Sequence, residues 1–135
     1  MEKYESKQQK INRPAEAVYA TLSDFSHFTP ILKEKVEEWQ ADSDTCSFVV
    51  KGLRIRLRMV EREAPKLIKV VGENSPVEFT FWTQLKQVAD NDTRMRLVLH
   101  VELNMMLRMM VGNKLQKAMD EVASQIAYAF NNAPI

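Results

Sequence analysis

Between residues 36 and 103 apolar and polar side chains alternate with a period of two, the pattern of half-buried strands. The pattern predicts strands over 36–41, 45–50, 53–63, 67–72, 77–88 and 93–103. Turn-forming residues separate them: Asp42-Ser43-Asp44, Lys51-Gly52, Ala64-Pro65-Lys66, Glu73-Asn74-Ser75-Pro76 and Asp90-Asn91-Asp92. Connections this short join only antiparallel neighbours, so the six strands form a meander. Arg54, Arg56 and Arg58 alternate with Ile55, Leu57 and Met59, and Arg94, Arg96, Val98, His100 and Glu102 with Met95, Leu97, Leu99, Val101 and Leu103. One face of the sheet is therefore wet and the other dry, and the dry face needs a cover.

The flanks follow other rules. Residues 4–11 read as a polar first strand with Tyr4, Ser6 and Gln8 on one face. Pro14 opens a short helix over 14–22, where Ala15, Val18, Tyr19 and Leu22 recur at helical spacing. Ser23 or Asp24 caps a second short helix, whose buried side is Phe25, Phe28, Ile31 and Leu32 and whose length Pro30 limits. Asn104 caps a long helix from 105 to about 130. Val111, Leu115, Met119, Val122, Ile126 and Phe130 form its apolar stripe, with Ala118 and Ala129 beside it and Lys114, Lys117, Asp120, Glu121 and Gln125 off it. Gly112 marks a bend or a close contact. The order is β-α-α-β6-α, an α+β fold with the last helix as the cover.

Composition narrows the role. The 135 residues contain no repeat or linker, which makes 1–135 one domain. A protein of this mass leaves roughly 7,300 of ~22,800 Å² open to water, enough burial for a core without staples. Nineteen basic against eighteen acidic residues provide no field for nucleic acid. Three glycines cannot build a phosphate cradle, and Cys46, His27 and His100 cannot make a tetrahedral zinc site unaided, so neither cofactor nor metal is predicted. The polar start is unlike a signal peptide, and the most apolar stretch, 97–111, is broken by His100, Glu102, Asn104 and Arg108. With no membrane span and a lone cysteine, the predicted location is the cytoplasm.

Several segments carry a family likeness: Tyr4-Glu5-Ser6-Lys7, Ile11-Asn12-Arg13-Pro14-Ala15-Glu16-Ala17-Val18-Tyr19 and Leu22-Ser23-Asp24-Phe25-Ser26-His27-Phe28. It continues through Asp44-Thr45-Cys46-Ser47-Phe48, Thr93-Arg94-Met95-Arg96, Glu102-Leu103-Asn104-Met105-Met106 and Met109-Met110-Val111. Along nearly its whole length the chain resembles the START-like (SRPBCC) superfamily, and within it the polyketide cyclase/dehydrase and lipid-transport branch. The resemblance implies a helix-grip fold, in which a curved antiparallel sheet of about seven strands wraps a long C-terminal helix. It also implies a cavity between them that receives lipids, polyketides or other apolar molecules, with the short helices and adjoining turns controlling entry.

The residues predicted to face such a cavity are Phe48, Leu57, Met59, Phe79, Phe81, Met95, Leu97, Met106, Met110, Leu115 and Met119. Methionine adapts to varied apolar partners, but the same side chains would equally fill a solid core. An empty 300 Å³ void would cost on the order of 7 kcal/mol, so the cavity must be small or filled. Tyr4, Ser6, Tyr19 and Thr83 are candidates for orienting a ligand. No catalytic constellation emerges. His27 reads as an exposed loop residue near the mouth, His100 and Trp82 as outward, Cys46 as an inert buried thiol. Trp82 beside Val98 offers a patch for a homodimer as the alternative to a monomer. Arg54, Arg56, Arg58, Arg62, Arg94 and Arg96 are expected to be neutralised by Glu61, Glu63, Glu78 and Glu102. The predicted role is binding a small hydrophobic molecule; a cyclase or aromatase and a pocketless interaction module are the alternatives.

Overall fold

In the computed structural model, which describes residues 1–50, 52–74 and 77–133 apart from the Ile31 side chain, the alternating region folds into six strands. These are β3 (Glu37–Ala41), β4 (Thr45–Val50), β5 (Leu53–Glu63), β6 (Leu67–Gly72), β7 (Phe79–Ala89) and β8 (Asp92–Val101). Each pairs antiparallel with the next, as the turn lengths require. Turn chemistry sets the boundaries. Asp42 accepts hydrogen bonds from the backbone of Asp44 and Thr45 and from the Thr45 hydroxyl, which also holds its carboxyl below the usual range. Gly52, at φ +79°, adopts the left-handed conformation the β4–β5 turn needs. Lys51, Ser75 and Pro76 of the predicted turns lie outside the described residues.

The first strand departs from expectation. It is two strands, β1 (Glu2–Glu5) and β2 (Gln9–Ile11), both antiparallel to β8, so the sheet has eight strands in the order β1-β8-β7-β6-β5-β4-β3, with β2 also on β8. Ser6 makes the break. Its N–H donates to the Leu97 carbonyl at 2.8 Å, and its hydroxyl accepts from the Leu97 N–H at 2.9 Å while donating to the Lys7 carbonyl. At the opposite edge β3 is bulged between Glu37 and Gln40, with Glu38 at φ 53° and its carboxylate 2.9 Å from Arg54.

Helix α1 (Ala15–Leu22) follows Pro14 as predicted. The second short helix divides into a 3-10 turn, Phe25–Phe28, and one α-turn, α2 (Thr29–Leu32). Asp24 caps the first piece by accepting from Ser26, and Pro30 sits in the first turn of the second. Phe25 is buried beneath them.

Asn104 caps α3 (Met105–Asn132) by accepting from the Leu107 N–H at 2.8 Å. The helix lies on β1, β2 and β8, and its inward face is the predicted stripe shifted to one side: Val111, Leu115, Met119, Ile126 and Phe130 are buried or half-buried as expected. Gln116 donates to the Glu5 carbonyl (2.8 Å) and Asp120 accepts from the Lys7 N–H (2.7 Å). Asn131 accepts from the Asn12 N–H (2.6 Å) and donates to the Lys10 carbonyl (3.0 Å). The Lys7 N–H also holds the Asp120 carboxyl below its ordinary value. These bonds turn the helix toward the broken strand. Met119, Ala123 and Ala127 are buried, whereas Val122 is 45% exposed and Ala118 and Ala129 face water. Gly112 marks a close contact: a Cβ there would stand 3.4 Å from the Tyr4 hydroxyl.

Substitutions read this rotation directly. Ala123→Leu forces bulk under α3 and is expected to lower stability by about 1–3 kcal/mol, whereas Val122→Ala is expected to stay within about 1 kcal/mol of wild type. Chemical denaturation measures both; the reverse order would put Val122 rather than Ala123 against the sheet.

Candidate functional site

Strand register shows which side chains share the inner face. Tyr4, Leu99, Phe81 and Val70 form one row across β1, β8, β7 and β6. Leu97, Thr83 and Ile68 form the next row along. On β4 and β5 the inward pairs are Cys46 with Leu57, Phe48 with Ile55 and Val50 with Leu53.

Burial along this face is graded. Met95, Leu97, Leu85, Ile68, Met59 and Cys46 are shut into the core with Met119. Toward the other end Phe48, Ile55, Leu57, Phe79, Phe81 and Leu99 are only half-buried, and the outermost pair, Val50 and Leu53, is exposed. The closed end is where α1 and the 3-10 turn dock: the Ala15 N–H donates to Gln87, and the Phe25 N–H to the Ser43 carbonyl. The open end is bounded by the β4–β5 turn and the start of α3. Thus the short helices border the closed end rather than a mouth there, and α2 leads from it toward β3. Trp39 on β3 flanks the half-buried surface, its ring 5.9 Å from Phe48 and its indole N–H on the Thr29 hydroxyl.

Accessible surface is 8734 Å², against roughly 7,300 Å² for a compact protein of this mass. The excess is what a sheet left partly uncovered and a helix overhanging it produce.

The predicted lining residues divide accordingly. Phe48, Leu57, Phe79, Phe81 and Leu115 are half-buried; Met59, Met95, Leu97 and Met119 belong to the closed core. Met106 and Met110 do not face inward. They are 71% and 61% exposed, because the polar bonds of Gln116 and Asp120 turn their side of α3 to water. Of the polar candidates, Ser6 is spent on the strand break. The hydroxyls of Tyr4, Tyr19 and Thr83 have no hydrogen-bond partner among the described residues, and the first two pack against the core. Leu99, Ile55 and Trp39 were missed, although alternation puts the first two on the dry face.

Titratable groups lie elsewhere. His27 Nδ1 is 2.9 Å from the Thr21 carbonyl oxygen, and its side chain is half-exposed. His100 and Trp82 are outward as predicted, edge to face at 4.6 Å, with Lys69 over the indole. Arg54, Arg58, Arg62 and Arg94 are ion-paired, but with Glu38, Glu73, Asp44 and Asp92 rather than the predicted glutamates. Glu38, Glu73 and Asp44 come from other strands and turns, which spacing along one strand does not reveal, whereas Asp92 lies two residues before Arg94 on β8 itself. A groove of about 460 Å³ on this outer face, lined by Gln40, Ser47, Arg54, Arg56 and the Arg58–Glu73 pair, is polar. Among the described residues no three His, Cys, Asp or Glu side chains converge on a metal, and no helix is long and apolar enough to cross a membrane.

An antiparallel sheet gripping a long C-terminal helix, with its inner face open at one end, defines the helix-grip class. The model of the polyketide cyclase/dehydrase and lipid transport family matches residues 5–129, and the chain belongs to that family. Truncated norcoclaurine synthase from Thalictrum flavum superposes with a TM-score of 0.77 at 8% identity, covering 99% of this chain and 95% of that one. The di-domain ARO/CYC protein BexL of the BE-7585A biosynthetic pathway gives 0.71 at 13% identity, over 98% of this chain and 48% of its own. Aha1 from Colwellia psychrerythraea, solved as a dimer, gives 0.67 at 16%, covering 98% of each chain. At these identities the likeness is one of fold. Among curated proteins none matches the chain.

Burial pushes the Cys46 thiol up to about 12, with the Asp42 carboxylate adding to the effect. The folded protein is expected to resist thiol reagents that label it at once in denaturant. Because the folded value is raised above the ordinary 9.0, stability is full below that pH and falls as pH climbs toward about 12. Cys46→Ala should remove that part of the alkaline loss in thermal melts; an unchanged slope would refute the assignment.

Proposed function

We propose that the protein binds a small hydrophobic molecule, a lipid or a polyketide-like compound, on the half-buried inner face between the sheet and α3. The observation that carries this reading is the gradient of burial. Phe48, Ile55, Leu57, Phe81 and Leu99 lie on the face that alternation dries, yet neither the helix nor the short segments cover them fully. A sealed void of 300 Å³ would cost about 7 kcal/mol, a large part of a domain's stability of ~5–15 kcal/mol. A recess open at one end avoids that cost by admitting water, which an apolar guest then displaces. Burial of 200 Å² of ligand surface is worth about 5 kcal/mol at ~25 cal/mol per Å². The Tyr4 hydroxyl, in the row of Leu99 and Phe81, supplies a polar group to orient the guest.

A cyclase or aromatase is the second reading. Family membership and the Tyr4 hydroxyl, without a hydrogen-bond partner among the described residues, favour it, since a phenol can pass a proton to a folded polyketide. It ranks lower because Glu2, a carboxylate whose register places it on the inner face near this surface, is held by Arg108 at 2.8 Å.

Titration with an environment-sensitive apolar dye is expected to show saturable binding at one site, with displacement by long-chain fatty acids or fused-ring phenols. Leu57→Gln and Leu99→Gln should each weaken it by about tenfold while thermal melts stay cooperative. Linear, non-saturating dye signals together with no thermal shift from a panel of lipids would overturn the proposal.

A further inference from the structure

Four of the chain's eight methionines stand within six residues, at the start of α3. Met105, Met106, Met109 and Met110 are between 61% and 82% exposed, whereas Met59, Met95 and Met119 are at most 6% exposed. None of the four belongs to the core cluster. Leu107, the one aliphatic residue among them, is half-buried, so every strongly exposed apolar position of these turns carries a thioether. Flexibility distinguishes methionine from leucine or valine on an apolar surface, and so does its thioether. Sulfur is the common element.

Helix geometry brings those sulfurs together. Met105 with Met109 and Met106 with Met110 are i,i+4 neighbours, and Met106 with Met109 are i,i+3. Such pairs have Cβ atoms ~5–6 Å apart, and five steps of ~100° keep all four within an arc of about 140°. Side chains on a helix lean toward its N-terminus, so Met109 and Met110 lie over the turn that carries Met105 and Met106. Three rotatable bonds in each chain let the thioethers converge. Arg108 stands in the same turns, but Glu2 holds its Nε at 2.8 Å toward β1.

We propose that these four thioethers form a binding site for a soft monovalent metal ion, Cu(I) or Ag(I). Thioether sulfur is a soft donor that suits Cu(I), while Mg(II) and Ca(II) require oxygen ligands. The positive end of the α3 dipole and Arg108 oppose a cation, which favours an ion of single charge and keeps the affinity modest. A thioether also carries no proton to lose. Binding at this site is therefore independent of pH between about 5 and 8, whereas a histidine or thiolate site weakens as its ligands protonate.

The test uses the whole protein with methionine methyls labelled by carbon-13, titrated with Ag(I), and with Cu(I) under reductant against a chromophoric competitor. One equivalent is expected to shift the methyls of Met105, Met106, Met109 and Met110, leaving Met59, Met95 and Met119 in place. The M105L/M106L/M109L/M110L variant should keep the wild-type melt and lose at least about tenfold in affinity. Cys46→Ala should bind as wild type does. Methyl shifts elsewhere, undiminished binding by the leucine variant, or affinity that falls with acid would each overturn the site; the methyl shifts decide the matter even if that variant fails to fold.

Discussion

The structure turns on an unfinished sheet edge. Where β1 gives way to β2, the backbone groups of Glu5, Lys7, Lys10 and Asn12 point away from β8 and need partners from another element. Gln116, Asp120 and Asn131 provide them from α3. At this exposed edge a hydrogen bond is worth about 0.5–1.5 kcal/mol net, so the four together are comparable to the gain from burying one more valine. Helix rotation follows from this requirement: Ala123 and Ala127 come inward because their neighbours on the helix must reach the edge. Gly112 permits the approach to Tyr4 for the same reason.

That rotation explains what the sequence shows and what it hides. Alternation and turn residues locate β4, β5 and β6 to the residue, since both signals are local. The stripe on α3 holds at Val111, Leu115, Met119, Ile126 and Phe130 and fails at Val122, because it counts apolar residues alone, and Gln116, Asp120 and Asn131 look like solvent-facing positions until an edge strand needs them. Small residues at Ala123 and Ala127, one turn apart, were the available sign of a close approach. Alternation likewise identifies Phe48, Leu57 and Phe81 as inward. It cannot say which part of a strand stays uncovered, because that depends on where α1 and the 3-10 turn dock. Ion-pair partners such as Glu73 for Arg58 come from the next strand, and register is a tertiary property.

Family, fold and burial are the three supports of the proposed apolar guest. The same helix that leaves Phe81 and Leu99 half-open at one side presents Met105 and Met109 to water at its free end. One face of α3 is thus committed to the strand edge, and its opposite face is free to vary without disturbing the core.

The two borders of the sheet are finished in different ways, one occupied by side-chain amides and the other distorted by the bulge that carries Glu37 and Glu38. Neither presents a straight, vacant ladder to a further copy. Growth by strand addition, the usual route from an open β-structure to fibrils, is blocked at both ends.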